Sequence, residues 1–312
     1  MKWTGLLAAV VLLLGWFAPA AASAARADRP ALLLDQDFAD PDVVVTDEGQ
    51  FAFSTTSASG RVPFARAERA DGPWRVVGDA LAADPAWADP AGGYWAPEVF
   101  RRDDGSFLMY FAAVESAPGR RCVGMAVAAA VTGPFTPFGD RPLVCDPADS
   151  TDIDPRTFVD SDGTRYLAYK SESGSTPPSA IWLQRTTRDG TALVGGRQEL
   201  LRADDPSENG VVEAPVIIKQ GLRYVLFYSA DNFLSGGYHT AFATADTVGG
   251  PYRKAKEPLL TSARLDGAVD GPGGADVLGE LVFFHGWLRG ERKERGLYLL
   301  PIAFVRGRPE LA

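Results

Sequence analysis

The chain has 312 residues, a net charge of −9, two cysteines and two histidines. That length suffices for one large domain with a substantial core, and the lack of any basic stripe argues against nucleic acid as a partner. Two cysteines and two histidines give no zinc or redox pattern.

The chain opens on Met1-Lys2-Trp3, an apolar run from Leu6 to Phe17, and Ala18-Pro19-Ala20. A basic start, an apolar core too short for a stable anchor and a small-residue exit predict a secretory signal peptide over residues 1–27, cleaved after Ala24 or Ala27. No later apolar run is long enough to cross a membrane. The expected product is a secreted single domain over residues 28–312, monomeric and free of the membrane. An even cysteine count in an exported chain suggests that Cys122 and Cys145 are bonded, the alternative being two buried thiols.

Beyond the leader no long stretch has helical periodicity. Short apolar runs broken by Gly, Pro and Asp dominate, and 33 Gly with 23 Pro fit a turn-rich all-β chain. One phrase recurs. Asp40-Pro41-Asp42-Val43-Val44-Val45 leads through Asp47-Glu48-Gly49 to Phe51-Ala52-Phe53. Trp95-Ala96-Pro97-Glu98-Val99-Phe100 leads through Asp103-Asp104-Gly105 to a run from Phe107 to Phe111. Asp154-Pro155-Arg156-Thr157-Phe158-Val159 leads through Ser161-Asp162-Gly163 to Tyr166-Leu167-Ala168-Tyr169. Val212-Glu213-Ala214-Pro215-Val216 leads through Lys219-Gln220-Gly221 to a run from Leu222 to Ser229. Gly273-Gly274-Ala275-Asp276-Val277-Leu278 leads through Gly279 to a run from Leu281 to His285.

The markers Pro41, Pro97, Pro155, Pro215 and Gly274 recur every 56 to 60 residues, roughly, which is the period of a repeat architecture. Each unit continues into a third strand, then a corner such as Gly72-Pro73-Trp74, Gly133-Pro134-Phe135 or Gly250-Pro251-Tyr252, and a short fourth strand. The expected fold is an all-β five-bladed β-propeller with four antiparallel strands per blade. A β-sandwich is the alternative, which the recurrence disfavours. Asp35–Phe38 and the strand Leu297–Val305 are expected to close the ring together.

Radial repetition would bring the heads of the first strands together. Asp40, Asp154 and Glu213, with Glu98 in the second unit, are acids placed before apolar strand residues. Converging carboxylates repel, so one stays ionised while another holds its proton, which is the equipment for glycoside hydrolysis. Two other readings stand beside this. Glu213 is also consistent with a strand-end acid facing water, and three carboxylates are also able to hold calcium, although no compact Asp-rich loop is present.

With these motifs in hand, the mature chain resembles glycoside hydrolase family 43, whose members hydrolyse arabinose- and xylose-containing glycans with inversion. Phe38-Ala39-Asp40-Pro41-Asp42-Val43 matches the motif of the general base, Ile153-Asp154-Pro155 that of the acid that tunes and orients the proton donor, and Val212-Glu213-Ala214-Pro215 that of the general acid. The resemblance implies Asp40, Asp154 and Glu213 as catalytic residues and points to Trp95 and His285 as contacts of an arabinan or arabinoxylan substrate; Phe38 is expected to add an apolar face, with Glu98 and Ser171 as further candidates at the rim. Trp95 and His285 read equally well as packing residues, and Lys170 is a candidate for the rim. Many members have a His after Gly-Pro-Gly near a central ion. The run Gly271-Pro272-Gly273-Gly274 departs from that, so no metal ligand or required cofactor is assigned and a central calcium is left in doubt. An α-L-arabinofuranosyl linkage is the expected substrate. A β-xyloside, a fructan cleaved with retention, and carbohydrate binding without turnover are the alternatives.

Overall fold

The computed structural model describes residue 1, residues 29–172 and residues 178–312. The signal-peptide expectation for residues 1–27 lies, past its first residue, outside the described residues.

Among the described residues the regular structure is β-strand, apart from single 3₁₀ turns at Pro90–Gly92 and Pro206–Glu208. Strand β1 (Ala31–Leu34) precedes an antiparallel meander of β2 (Asp42–Thr46), β3 (Gly49–Phe53), β4 (Pro63–Ala67) and β5 (Arg75–Asp79). Next come β6 (Tyr94–Arg101), β7 (Phe107–Val114), β8 (Arg121–Ala128) and β9 (Thr136–Phe138). They share an eight-stranded sheet with β10 (Thr151–Val159), β11 (Arg165–Glu172), β12 (Ala180–Thr186) and β13 (Leu193–Arg202). The two halves of that sheet join where Thr151 pairs in parallel with Arg121. A four-stranded sheet of β14 (Val212–Gln220), β15 (Arg223–Ala230), β16 (His239–Ala245) and β17 (Arg253–Lys254) follows. The last sheet holds β18 (Asp270–Leu278), β19 (Leu281–Trp287), β20 (Arg295–Val305) and β21 (Arg308–Leu311). β1 also pairs with β20, so the first and last strands of the fold meet in one sheet. The partner of β20 is thus Ala31–Leu34, with Phe38 adding one backbone bond to Arg295 O.

The core lies between the meanders. Phe51, Phe53 and Phe64 pack on Met109 and Phe111; Leu108 and Tyr110 pack on Leu167 and Tyr169. Ile181 and Leu183 meet Leu226 and Tyr228, and Val225 and Phe227 meet Val282 and Phe284. Phe283 and Leu299 then return to Val43, Ala52 and Trp74 of the first meander. Middle strands are therefore covered on both faces, which is why Phe107–Val114 reads as an unbroken apolar run instead of alternating. Each fully buried Phe in these layers contributes roughly 1.5–3 kcal/mol.

The repeated phrase has a backbone signature. Asp40, Ala96, Asp154, Ala214 and Gly274 have φ of 51°, 44°, 56°, 49° and 57°. In β6, β10, β14 and β18 the pairing register shifts across this residue, as a bulge does. Positive φ is unfavourable for a non-glycine residue and persists where the surroundings determine it. Here the surroundings are lateral hydrogen bonds. Asp42 accepts from Val99 N at 2.8 Å, Glu98 from Thr157 N at 3.0 Å, Asp154 from Ala214 N at 2.9 Å and Asp276 from Val43 N at 2.7 Å. Cys122 and Cys145 are joined in a disulfide, linking β8 to the approach to β10.

Candidate active site

A cavity of about 560 Å³ is lined by Asp40, Asp154 and Glu213, residues up to 173 positions apart in the chain. Asp40 sits at the head of β2 and Asp154 within β10, both at the positive-φ position. Glu213 stands one residue before its counterpart Ala214, opposite Ser229 of β15.

Asp40 is held as an anion. Burial acts to raise its pKa, but the Arg295 guanidinium 3.4 Å away, the His285 ring and the hydroxyl of Thr55 outweigh that and keep it well below the usual carboxylate range. Thr55 donates to Asp40 Oδ2 at 2.7 Å while accepting from Ala96 N at 3.0 Å, which fixes the carboxylate to the second meander. Nδ1 of His285 lies 3.0 Å from Asp40 N and 3.2 Å from Asp40 Oδ1, and its Nε2 is buried. Burial and Arg295 lower its pKa. His285 reaches Asp40 because residue 274 is glycine: a Cβ there would lie 2.5 Å from Nδ1 and 3.1 Å from Asp40 Oδ1.

Asp154 behaves in the opposite way. Burial first, then the charges of Glu213 and Asp40, push its pKa up to about 7, against the lowering effect of Lys170 and the Ala214 N–H. Glu213 accepts from Tyr238 at 2.7 Å and from Lys170 at 2.8 Å. Lys170 is buried, and Glu213 first, then Glu172 at 2.8 Å, outweigh that burial and keep it charged. Tyr238 stacks on His285 with ring centroids 5.9 Å apart, so a packed path runs from Glu213 through Tyr238 and His285 to Asp40. The site thus holds one secured anion, Asp40, and one carboxyl that keeps a proton up to about pH 7, Asp154, beside Glu213. In the sequence expectation Asp154 is the charge and Glu213 the protonated group. In the structure the group pushed up is Asp154, and Glu213 has the ammonium beside it.

The other expected contacts divide. Trp95 lines the cavity at 39% exposure, its ring backed by the Arg121 guanidinium 3.3 Å from the centroid. Phe38 does not reach the cavity wall. It is fully buried with Val43, Ala52 and Phe283, because its N–H is tied to Arg295 O and its ring turns into the core. Ser171 is buried and accepts from Trp182 Nε1 at 2.6 Å. His285 stands behind Asp40 instead of in the wall. Glu98 is placed below the cavity, where it meets Arg156 and Thr157 N. Its displacement follows from the phrase itself: Ala96 is the counterpart of Asp40, so Glu98 is the counterpart of Asp42. Thr55, Arg121, Tyr238 and Arg295 complete the site. Among these only Tyr238 has a sequence signal: it falls in a stretch, Tyr228 to Phe242, that follows the pattern of the family the sequence resembles.

The donor set does not fit a calcium ion. Among the described residues, the group of three His, Cys, Asp or Glu side chains with ligand atoms within 4.8 Å of one another is Glu115, Cys122 and Cys145, and its two sulfurs form the disulfide. Asp42, Glu98 and Asp276 converge, but on the guanidinium of Arg156. Calcium would require their oxygens at 2.3–2.6 Å, roughly, in the place the guanidinium takes.

A family model described as "Glycosyl hydrolases family 43" matches residues 31–285. The chain is 30% identical over 183 residues to the extracellular endo-alpha-(1->5)-L-arabinanase 2 of Bacillus subtilis, covering 53% of this chain and 38% of that protein. It is 24% identical to the extracellular exo-alpha-(1->5)-L-arabinofuranosidase ArbA of Cellvibrio japonicus, covering 68% of this chain and 65% of that protein. It therefore spans less than two thirds of the length of either. In fold it is similar to a thermostable family-43 glycoside hydrolase, with a TM-score of 0.78, 23% identity and coverage of 88% of this chain and 93% of the other. Native Bacillus subtilis arabinanase Arb43A superposes with a TM-score of 0.70 at 19% identity, covering 90% of this chain and 100% of that one.

Proposed function

Because the chain belongs to glycosyl hydrolases family 43, we propose that it is a secreted, inverting glycoside hydrolase acting on α-L-arabinofuranosyl linkages of arabinan-type polysaccharide. The fold we infer is a five-bladed β-propeller with four antiparallel strands in each blade. The recurrence of one positive-φ residue near the head of each inner strand supports it, as does the return of the last core layer onto the first meander.

One observation carries the activity: Asp40, secured as an anion, Asp154, whose pKa is pushed up to about 7, and Glu213 line the same cavity. In this reading Asp40 takes a proton from water as its oxygen bonds to the anomeric carbon. Glu213 gives a proton to the glycosidic oxygen as the bond from that carbon breaks. Asp154 holds a proton of its own beside Glu213 and orients the Ala214 end of the Glu213 segment through its bond to Ala214 N. Lys170 draws off the charge that Glu213 is left with. Inversion requires about 6.5–9.5 Å between the base and acid carboxyl groups, room for the attacking water. Trp95 offers an apolar face to the sugar ring. No step runs through a metal.

The relatives' printed names favour arabinan as substrate, and they call those proteins extracellular, in keeping with a signal peptide at residues 1–27. The test is release of reducing sugar from aryl α-L-arabinofuranoside, aryl β-xyloside, linear arabinan and arabinoxylan, with the first-formed anomer followed by proton NMR. Arabinoside cleavage with inversion is expected. Retention, or binding of these sugars with no release, overturns the reading.

A further inference from the structure

The strands that bear Asp40 and Asp154 are tied together two residues further along each. Nη1 of Arg156 donates to Asp42 and lies 2.8 Å from Glu98 Oε2 and 3.5 Å from Asp276 Oδ1. Nη2 donates to the carbonyl of Pro41 at 3.3 Å. Asp42 follows Asp40 by two residues and Arg156 follows Asp154 by two, so a single guanidinium spans both segments. The three acids that hold it are each spent on a second bond, to Val99 N, Thr157 N and Val43 N, which locks β2, β6, β10 and β18 to one another. The belt borders a hollow of about 20 Å³, whose wall also includes Asp40, Asp154, Ala214 and Gly274. That is space for one water molecule and not for a sugar.

We propose that Arg156 is a positioning residue for the reaction: its planar fork sets the spacing between the Asp40 and Asp154 segments from behind the substrate cavity. The proposal rests on the hydrolase reading above. Three features support it. The guanidinium is buried beneath the site, away from the cavity lining, so binding sugar is not its task. It bonds one segment through both a side chain and a carbonyl, Asp42 and Pro41, which fixes an orientation as well as a distance. It also occupies the meeting point of three carboxylates, where a mobile cation would otherwise be required to offset their repulsion. Lysine, a point charge on a flexible stem, supplies the charge without the fork.

The test compares Arg156→Lys and Arg156→Ala with the native protein on an aryl arabinofuranoside, with near-ultraviolet circular dichroism and melting to measure the folded fraction. Displacement of a reacting group by about 1 Å costs about a hundredfold in rate. Arg156→Lys is expected to fold and to lose about tenfold in kcat with KM within about twofold, the mark of an interaction that matters in the transition state. Arg156→Ala is expected to lose about a hundredfold, and guanidinium at low millimolar concentration to restore at least about tenfold of that, with sodium chloride of equal ionic strength restoring none. If Arg156→Ala does not fold, Arg156→Lys decides alone. A native kcat in folded Arg156→Lys, with only its melting point lowered, overturns the proposal and makes the clamp purely structural. A native protein that cleaves no glycoside overturns the hydrolase reading, and this one with it.

Discussion

Two groups of carboxylates stand at the repeated phrase, meeting on one segment at Asp40 and Asp42 and otherwise on different strands, and they are treated in opposite ways. Asp42, Glu98 and Asp276 are sealed around Arg156, every one of them bonded to a neighbouring strand. Asp40, Asp154 and Glu213 face a cavity of about 560 Å³. In the sealed group burial and mutual repulsion push Asp42 and Glu98 up, and the central guanidinium offsets part of that. In the open group the cations are placed unevenly: Arg295 serves Asp40, Lys170 serves Glu213, and Asp154 has neither at contact distance. The lesson is that placement and bonding, not charge balance, separate the two: the sealed acids are spent on bonds between strands, whereas the open acids line a cavity that a substrate can enter.

The largest expected effects come from removing the reacting groups of the open cluster. Asp40→Asn and Glu213→Gln should each lower kcat on arabinan by about a thousandfold or more, since acid and base catalysis each supply about 10²–10⁴. Both variants should still fold, with melting temperatures moderately lowered, because the charge of Asp40 pairs with Arg295 of β20 and that of Glu213 with Lys170 of β11. Loss of folding in either variant would erase the contrast with the sealed group.

Asp154→Asn should lower kcat by about a hundredfold, within the range for a group that assists proton transfer, and should stabilise the fold. Its pKa of about 7 in the folded chain lies above the ordinary 3.8, so ionisation opposes folding. That cost is absent below the unfolded pKa, grows from about pH 4 to about pH 7 and is constant above. The variant's melting point should therefore equal the native one near pH 4 and exceed it increasingly up to pH 7. A variant less stable than native at pH 8 would mean that Asp154 belongs with the structural cluster.

Lys170→Met sharpens the same distinction at smaller cost. Lys170 lowers the pKa of Asp154, so its removal should move the alkaline limb of kcat/KM to higher pH, with a rate loss of about tenfold. An unmoved limb would detach Lys170 from the proton balance. Last, Cys122→Ser with Cys145→Ser should lower stability by about 2–4 kcal/mol and leave the pH–rate profile unchanged, because the disulfide joins β8 to the approach to β10, outside the cavity lining.

Much of this was legible in the chain. The phrase built on Pro41, Pro97, Pro155 and Pro215 marks the first strand of each repeat because the residue before each proline has the same positive φ, and Asp40, Asp154 and Glu213 stand out as acids against apolar neighbours. The finer offset was legible from the prolines but not from the acids. Aligning the phrase on its acids puts Glu98 beside Asp40, whereas the positive-φ residue is Ala96, so Glu98 falls into the sealed cluster with Asp42. Phe38 reads as an aromatic next to a catalytic acid, but its direction depends on a backbone bond to Arg295, far along the chain. Thr55, Arg295 and Arg156 act across such distances, between strands whose pairing no local pattern encodes. Gly274 reads as a missing ligand in sequence and proves to be the space that lets His285 reach Asp40.

The central claim is a division of labour between Asp40 and Glu213, and dependence on leaving group tests it most directly. Glu213→Gln and Asp40→Asn would be assayed on arabinan and on a dinitrophenyl arabinofuranoside, whose phenolate departs without a proton. The account predicts that Glu213→Gln recovers most of its rate on the activated substrate while Asp40→Asn stays equally impaired on both. Equal recovery by the two variants, or none by Glu213→Gln, would contradict it.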